Sequence, residues 1–333
     1  MAWIEGQNLV PNWWEKDKVE RKATRDGFGV GLLEAGKQNK DVVVLCADLK
    51  ESTRVEAFAK EFPERFFEVG VAEQNMVGIA AGLALGGKIP IIASYAVFCP
   101  GRVWEQIRTL VCYQNIKLII AGTHAGLNVG PDGATHQVLE DIAITRCLPN
   151  LKVIAPADSR EAEKATLDAI ENIRGPIYLR FAREKSAVFT TERTPYQFGK
   201  AQILREGKDV SIFACTPLVY EAMLAARQLE SEGIDVELIN SPSVKPLDEA
   251  VLVESAKKTG CVITVEEHQQ IGGFGSAVCE MLAKNQPVPV EQIGVADRFG
   301  ESGEPEELLA KFGLKAQNII EAVKRVVDRK TVS

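Results

Sequence analysis

Two histidines lie in a glycine-rich stretch that could move protons. The chain contains three histidines, and His124 and His136 bracket residues 122–137, which also carry Asp132. Imidazole gains and loses protons near neutral pH, and glycine lets a backbone approach a ligand closely. A metal site is the alternative, but two histidines and one carboxylate lack the usual spacing of metal ligands. The stretch therefore indicates a loop that binds a substrate and assists proton transfer.

A single carboxylate stands at the start of an apolar helix. Glu73 follows a short predicted strand, residues 66–68, and precedes the apolar run 77–85. Desolvation disfavours a charged carboxylate and raises its pKa, and such acids are often catalytic. A solvated glutamate that complements the helix dipole is the alternative. The residues alone leave both interpretations open.

Two further loops carry side chains that could contact a ligand. Tyr95 and Phe98 follow a predicted strand and could stack on a flat heterocycle, or they could fill the core. Asp48 and Ser52 lie in the loop after the strand that ends at Cys46. That loop could also serve only to cap the next helix.

The elements that must position these residues alternate between strands and helices. Apolar runs without alternation, such as residues 41–46, are typical of parallel strands buried on both faces. The pattern predicts an α/β fold with two consecutive doubly wound, mostly parallel-sheet domains. Ligands in such sheets bind beyond the carboxyl ends of the strands, where the loops above lie. Helices are predicted over residues 103–113 and 138–146, among others.

The chain divides into four predicted segments. An arm with three tryptophans, residues 1–19, precedes a first domain, 20–188, and a linker, 189–200, leads to a second domain, 201–333. A length of 333 residues is sufficient for two hydrophobic cores.

Composition restricts the classes of partner and the compartment. A net charge of −7 argues against a nucleic-acid or anionic-membrane binder, so any phosphate site must be local. Seven cysteines without a Cys-x-x-Cys pair indicate a reduced, cytoplasmic protein. No signal peptide and no apolar window of membrane-spanning length is apparent.

Taken together, these motifs resemble the thiamine diphosphate enzymes of the transketolase family. The resemblance rests on Gly-Val-Ala-Glu-Gln at residues 70–74, on the Tyr95 and Phe98 pair, and on the histidine loop. It covers nearly the whole chain after the arm. The chain is similar to the C-terminal half of these enzymes, a pyrimidine-binding domain followed by the transketolase C-terminal domain.

The resemblance implies a role for each matching residue. Glu73 would hydrogen-bond the aminopyrimidine ring of thiamine diphosphate, Tyr95 and Phe98 would stack on that ring, and Asp48 would be a further cofactor contact. His124 and His136 would contact substrate oxygens and shuttle protons. The remaining implied substrate ligands are Asp132 for a sugar hydroxyl and Arg25, Ser52 and Arg183 for the sugar phosphate, in keeping with the preference of arginine for phosphate.

The resemblance also implies a partner. The family's diphosphate-binding domain, which holds Mg²⁺ through a Gly-Asp-Gly signature, has no counterpart here, since the most similar triplet is Pro-Asp-Gly at 131–133. The metal and diphosphate ligands would come from an N-terminal transketolase subunit in an α2β2 heterotetramer. Gly101 stands where many family members have a third aromatic. The implied activity is reversible transfer of a two-carbon ketol unit between sugar phosphates, as in the pentose phosphate pathway.

Alternatives remain within and outside this class. Deoxyxylulose-phosphate synthase and the 2-oxoacid dehydrogenase beta subunit share the cofactor, but the former typically lacks a histidine at position 124 and the latter lacks the paired-histidine loop. A non-catalytic assembly or regulatory subunit is the alternative from another class. The glycines of residues 271–275 could bind a nucleotide, although a lone glycine-rich turn is a weak signal; the resemblance assigns them, with His268, a structural role.

Overall fold

The described residues form two large, mostly parallel sheets and a small antiparallel sheet of two strands. The computed structural model describes residues 3–4 and 8–330. The strands are β1 Arg21–Lys22, β2 Val42–Cys46, β3 Phe66–Glu68, β4 Ile89–Tyr95, β5 Ile119–Thr123, β6 Lys152–Ile154, β7 Ile177–Arg180, β8 Ser186–Ala187, β9 Gln202–Arg205, β10 Val210–Ala214, β11 Val236–Asn240, β12 Ser243–Lys245, β13 Val262–Gln269 and β14 Val290–Val295. The helices are α1 Thr24–Gln38, α2 Glu56–Glu61, α3 Glu73–Leu85, α4 Trp104–Gln106, α5 Asp141–Arg146, α6 Ser159–Glu171, α7 Val219–Ser231, α8 Glu249–Thr259, α9 Phe274–Asn285, α10 Pro305–Lys311 and α11 Ala316–Lys330.

The first sheet has seven strands in the order β12-β6-β7-β5-β4-β2-β3. All neighbours pair in parallel except β12 with β6. Strands β2 and β5 are buried along their whole length, because apolar residues project to both faces. On one face, α1 packs tightly on α6: a Cβ added to Gly27 would lie 1.8 Å from the carbonyl oxygen of Ser159. This close approach fixes the start of α1, and with it Arg25.

The second sheet has five strands in the order β14-β13-β10-β11-β9, and β9 alone is antiparallel to its neighbour. Its carboxyl edge faces the first sheet. The backbone N–H of Thr216, just after β10, donates to the carbonyl of Ala155 at 3.3 Å, and the N–H of Ala155 donates to the carbonyl of Pro242 at 2.7 Å. Part of the carboxyl edge of the second sheet, where open sheets bind ligands, is therefore covered by the residue that follows β6. The predicted fold class, two mostly parallel doubly wound units, is confirmed.

Four strands were not predicted, of which β1 and β8 have two residues each and pair antiparallel with one another. β12 has only three residues and lies between Pro242 and Pro246, and it completes the first sheet although it follows β11 of the second. β9 is a short, half-buried edge strand. Because both are short and antiparallel, they lack the long apolar run that indicates a buried parallel strand.

Two predicted helices differ in extent from the structure. Over residues 103–113, regular α-helix is confined to α4, and the backbone continues in wider turns over Ile107–Cys112. The helix predicted from residue 138 begins at Asp141, because the carbonyl of Val138 accepts the N–H of Gly126 in the histidine loop.

The described part of the tryptophan-rich arm packs on the second domain. The Trp13 ring is buried and its centroid lies 4.5 Å from that of Trp3. The Tyr220 hydroxyl of α7 donates to the Trp13 carbonyl at 2.9 Å. The rest of the predicted arm, residues 1–2 and 5–7, and the end of the predicted second domain, 331–333, lie outside the described residues. None of the described helices has both the length and the apolar character that a bilayer crossing requires.

Candidate active site

Five adjacent strands of the first sheet bring the candidate residues to one edge. In the order β7, β5, β4, β2, β3, these strands are neighbours. Arg183 follows β7, His124 follows β5, Tyr95 ends β4, Ser52 follows β2 and Glu73 follows β3. Parallel strands share a carboxyl edge, so residues far apart in sequence meet there.

Glu73 is a buried acid with one charged partner. Its side chain begins α3 and is only 3% exposed. Arg102 donates Nη1 to its Oε2 at 2.8 Å, and no described residue hydrogen-bonds to Oε1. Burial raises the pKa of the neighbouring Cys99 thiol, and the negative charge of Glu73 raises it further. One carboxylate oxygen of this buried side chain thus has no hydrogen-bond partner among the described residues.

Planar side chains form a stack beside this acid. The rings of Tyr95 and Phe98 are nearly parallel, with centroids 6.0 Å apart, and the His124 ring lies 3.7 Å from Tyr95 on a tilt of 25°. The Arg102 guanidinium lies 4.6 Å from the Phe98 centroid. His136 meets Tyr95 and Phe98 edge-on, at 6.2 and 5.6 Å. The stack therefore connects both histidines to the Glu73 pocket.

The neighbours of His124 determine its tautomer and charge. Arg25 Nη1 lies 3.1 Å from His124 Nε2, and Thr123 Oγ1 lies 2.9 Å from His124 Nδ1. Because a guanidinium only donates, Nε2 accepts and Nδ1 carries the proton. Burial, followed by the positive charge of Arg25, lowers the pKa of His124 to about 2. His124 is consequently a neutral imidazole at physiological pH.

An arginine cluster lies at the far side of His124. Arg25 Nη1 donates to the Ser52 carbonyl at 2.8 Å, and its Nε is buried without a partner among the described residues. Burial, then the charge of Arg54, lowers the pKa of Arg25, and Arg183 acts in the same direction. Arg183 Nη1 lies 3.4 Å from Asp132 Oδ1. Three mutually repelling cations in an acidic chain form a site for an anion.

Two family models match this chain. The family model for the transketolase pyrimidine-binding domain matches residues 20–187, and the model for the transketolase C-terminal domain matches residues 199–319. The chain belongs to the transketolase family.

Some relatives have the same length as this chain, and longer relatives match it over about half of their length. A putative transketolase C-terminal section from Methanocaldococcus jannaschii is 44% identical, over 92% of this chain and 96% of its own length. A 1-deoxy-D-xylulose-5-phosphate synthase from Thermomicrobium roseum is 40% identical over 89% of this chain but only 47% of its own. A solved structure described as a split gene transketolase, inactive beta4 tetramer, superposes with a TM-score of 0.87 at 45% identity, covering 92% of this chain and 99% of that one.

One predicted contact of this transketolase-family chain is not part of the cluster. The Asp48 side chain is exposed, and no described contact joins it to the aromatic stack. Its backbone N–H donates to Glu68 Oε1 at 2.7 Å, and the same oxygen accepts the N–H of Gly70. Asp48, Ser52 and Glu68 line an open groove beside the site. Asp48 as a cofactor ligand remains a prediction.

Sequence reasoning missed two arginines of the transketolase site. Arg102 pairs with Glu73, and Arg54 donates Nε to Asp26 at 2.6 Å while its charge acts on Arg25. Arg102 lies four residues after Phe98 in the same loop, which was an available signal. Arg54 gave no such signal, because the sequence around it does not distinguish a site arginine from a solvent-exposed one.

The glycine-rich turn of the transketolase C-terminal domain is already occupied by the protein's own carboxylate. Glu266 accepts the backbone N–H groups of Phe274 and Gly275, both at 2.7 Å, at the start of α9. An anionic nucleotide would compete with this buried carboxylate. His268 is fully buried, and burial lowers its pKa to about 4. Both observations support the structural interpretation of this turn.

Within the described residues, no group of three or more His, Cys, Asp or Glu side chains is arranged to hold a metal ion.

Proposed function

We propose that this chain is the C-terminal subunit of a thiamine diphosphate-dependent transketolase, which transfers a two-carbon ketol unit reversibly between sugar phosphates. The observation that carries the proposal is the meeting of a buried acid, an aromatic stack and an arginine cluster at one sheet edge. Glu73, Tyr95 and Arg25 each represent one of these three parts.

The Glu73 pocket fits an aminopyrimidine. Its free carboxylate oxygen can hydrogen-bond a ring nitrogen, and the low local dielectric strengthens that bond. Tyr95 and Phe98 offer flat faces to a heterocycle. Thiamine diphosphate, when bound, supplies an acidic thiazolium carbon that acts as a nucleophile toward carbonyl groups. Glu73 holds the pyrimidine ring in the orientation and tautomer that this chemistry requires.

The histidines and arginines face the substrate. His124 is neutral, so Nε2 can accept a hydrogen bond from a hydroxyl group when Arg25 turns toward a phosphate. His136 is half-buried at the edge of the stack and donates to a carbonyl oxygen. Arg25 and Arg183 bind the phosphate as charge-assisted donors, with Ser52 beside them, and Asp132 accepts a sugar hydroxyl.

A second chain completes the site. Exposed apolar side chains lie on α3 and just before it: Val71, two residues before the helix, is 73% exposed, Ile79 38% and Leu85 64%. An exposed apolar strip of this kind is typical of a docking surface. The proposed partner is an N-terminal transketolase subunit that holds Mg²⁺ and the diphosphate, in an α2β2 assembly that acts in the cytoplasmic pentose phosphate pathway.

Reconstitution tests this proposal. The chain is mixed with a separately produced transketolase N-terminal subunit, thiamine diphosphate and Mg²⁺, and ketol transfer from a ketose phosphate to an aldose phosphate is measured. We expect turnover only when both chains are present. Turnover by the isolated chain would refute the shared site, and an inactive complex that contains bound cofactor would refute the activity.

A deoxyxylulose-phosphate synthase activity is the second candidate, because one such enzyme is 40% identical to the chain. His124 favours transketolase, since its Nε2 faces the substrate arginines. The same reconstituted complex, supplied with a 2-oxoacid in place of the ketose phosphate, distinguishes the two: carbon dioxide release faster than ketol transfer would favour the synthase.

A further inference from the structure

A carboxylate of the second domain lies beneath the histidine loop. Glu267 belongs to β13 of the second sheet and is 2% exposed, and its Oε1 accepts the backbone N–H of Asn128 at 2.8 Å. Gly126, with a φ of +93°, leaves the space for it: an added Cβ would lie 2.4 Å from that oxygen. The loop that carries the candidate histidines is thus built around a residue of the other domain.

Glu267 determines which way the Asn128 amide points. Asn128 Nδ2 donates to both Glu267 oxygens, at 3.0 and 3.1 Å, and to the Ala125 carbonyl at 2.8 Å. An ionised carboxylate only accepts hydrogen bonds, so the amide must turn its NH₂ group toward it. Burial raises the pKa of Glu267, whereas the charge of Arg180 and the N–H donors of the loop oppose that rise.

The opposite side of the same amide holds the backbone of Arg183. Asn128 Oδ1 accepts the N–H of Arg183 at 2.8 Å and that of Glu184 at 3.3 Å. A flipped amide would place its NH₂ group against the N–H groups of Arg183 and Glu184. All three donor groups would then lack an acceptor, which is costly for buried groups. The Arg183 guanidinium also donates to the carbonyl of Val129 in the loop. Arg183 is therefore anchored at both its backbone and its side chain.

We infer that Asn128 and Glu267 are positioning residues for the phosphate-binding Arg183, so that the second domain sets the affinity of the site for the phosphate group of the substrate. The inference rests on the proposed function for the role of Arg183. It assigns the second domain a part in substrate binding in addition to assembly.

The inference predicts a selective effect on phosphorylated substrates. In the assembled enzyme, Asn128→Ala and Glu267→Gln should each raise KM for the sugar phosphates about tenfold. Asn128→Ala removes the acceptor of the Arg183 and Glu184 N–H groups, and Glu267→Gln places a donor against the Asn128 NH₂ group, which disfavours the present orientation of the amide. KM for a ketol donor without a phosphate, and kcat for that donor, should stay within about twofold of the unaltered enzyme. A merely structural role would lower activity with both donors alike, and that result would overturn the inference.

Glu266→Gln is the matched control. Glu266 precedes Glu267 in β13 and is equally buried, but its hydrogen bonds go to α9. We expect this variant to leave both KM values unchanged. A rise in the sugar-phosphate KM as large as that of Glu267→Gln would contradict the inference.

Amide hydrogen exchange of the full chain gives a readout without turnover. In Asn128→Ala, the amides of Arg183 and Glu184 should exchange at least about tenfold faster, since both lose their acceptor, while the amides of β5 and β7 stay protected. Unchanged exchange at Arg183 would overturn the inference. If the unaltered complex shows no ketol transfer, the proposed function fails, and this exchange measurement still decides whether Asn128 positions Arg183.

Discussion

The buried carboxylate of Glu73 is paired with the half-exposed guanidinium of Arg102 at 2.8 Å, and the same guanidinium covers the Phe98 ring. The pair offsets part of the desolvation cost of Glu73. It also shows how the pocket is closed without the third aromatic expected at position 101. An added Cβ at Gly101 would make only an ordinary contact, 3.5 Å from the Ala96 carbonyl, and the Arg102 guanidinium lies 4.6 Å from the Phe98 centroid.

Removing Arg102 should destabilise the isolated chain. Arg102→Ala leaves Glu73 buried without its partner, and we expect the free energy of unfolding to fall by about 1–2 kcal/mol, less than for a fully buried pair because Arg102 is half-exposed. Urea unfolding followed by circular dichroism measures this. Arg108→Ala, an exposed arginine six residues later, is the control. A loss no larger than that of the control would mean that the ion pair contributes nothing.

His124 should make the protein acid-labile. Its pKa is lowered to about 2 in the folded state, so as the pH falls below about 6.5 the unfolded chain takes up a proton that the folded chain does not. Between pH 7 and 5.5 this costs about 1 kcal/mol of stability. His124→Asn, which tolerates the φ of +57° at this position, should remove that loss. His268 stays in the variant and preserves part of the pH dependence. An identical pH profile for both proteins would contradict the assignment.

Arg25 should discriminate between phosphorylated and unphosphorylated substrates. Arg25→Ala removes a charge-assisted phosphate donor, so KM for sugar phosphates should rise about 10- to 100-fold, with little change for a donor without phosphate. Arg21→Ala is the control, since Arg21 lies four residues earlier, in β1, and pairs with Glu306 at 3.4 Å. Equal rises in KM for both kinds of donor would exclude a phosphate role for Arg25.

We expect the exposed face of α3 to form part of the interface with the N-terminal subunit. A Cβ added to Gly82 would meet no described atom within 4 Å, so Gly82→Ala should stabilise the isolated chain by up to about 1 kcal/mol through helix propensity. Gly82→Leu should be equally well folded but should weaken assembly with the N-terminal subunit at least about tenfold by obstructing close approach. Urea unfolding of the isolated chain measures the stability, and titration of the partner with ketol transfer as the signal measures the assembly. Unchanged assembly by Gly82→Leu would place the interface elsewhere.

The sequence was sufficient to predict the fold class and the edge at which the site lies. Long apolar runs marked β2, β4 and β5 as parallel strands, and their loops brought Glu73, Tyr95 and His124 together as strand order requires. β12 was not predicted, because it has three residues flanked by prolines and joins a sheet from which it is distant in sequence.

Contacts between individual side chains could not be predicted from the sequence. Nothing in the spacing of Arg102, Asn128 or Glu267 shows what each will touch, since each contact depends on how two loops or two domains are oriented. The neutral tautomer of His124 likewise follows only from the placement of Arg25. Charge and protonation at the site therefore had to be read from the structure.

Hydrogen exchange at the thiazolium carbon of thiamine diphosphate, measured in the assembled enzyme, tests most directly whether Glu73 activates the cofactor. Glu73→Gln preserves the shape of the side chain and removes its acidity. We predict that the unaltered complex accelerates the exchange strongly over free cofactor, and that Glu73→Gln loses this acceleration by at least about a hundredfold while it still binds the cofactor. Equal exchange rates in the two complexes would contradict the account.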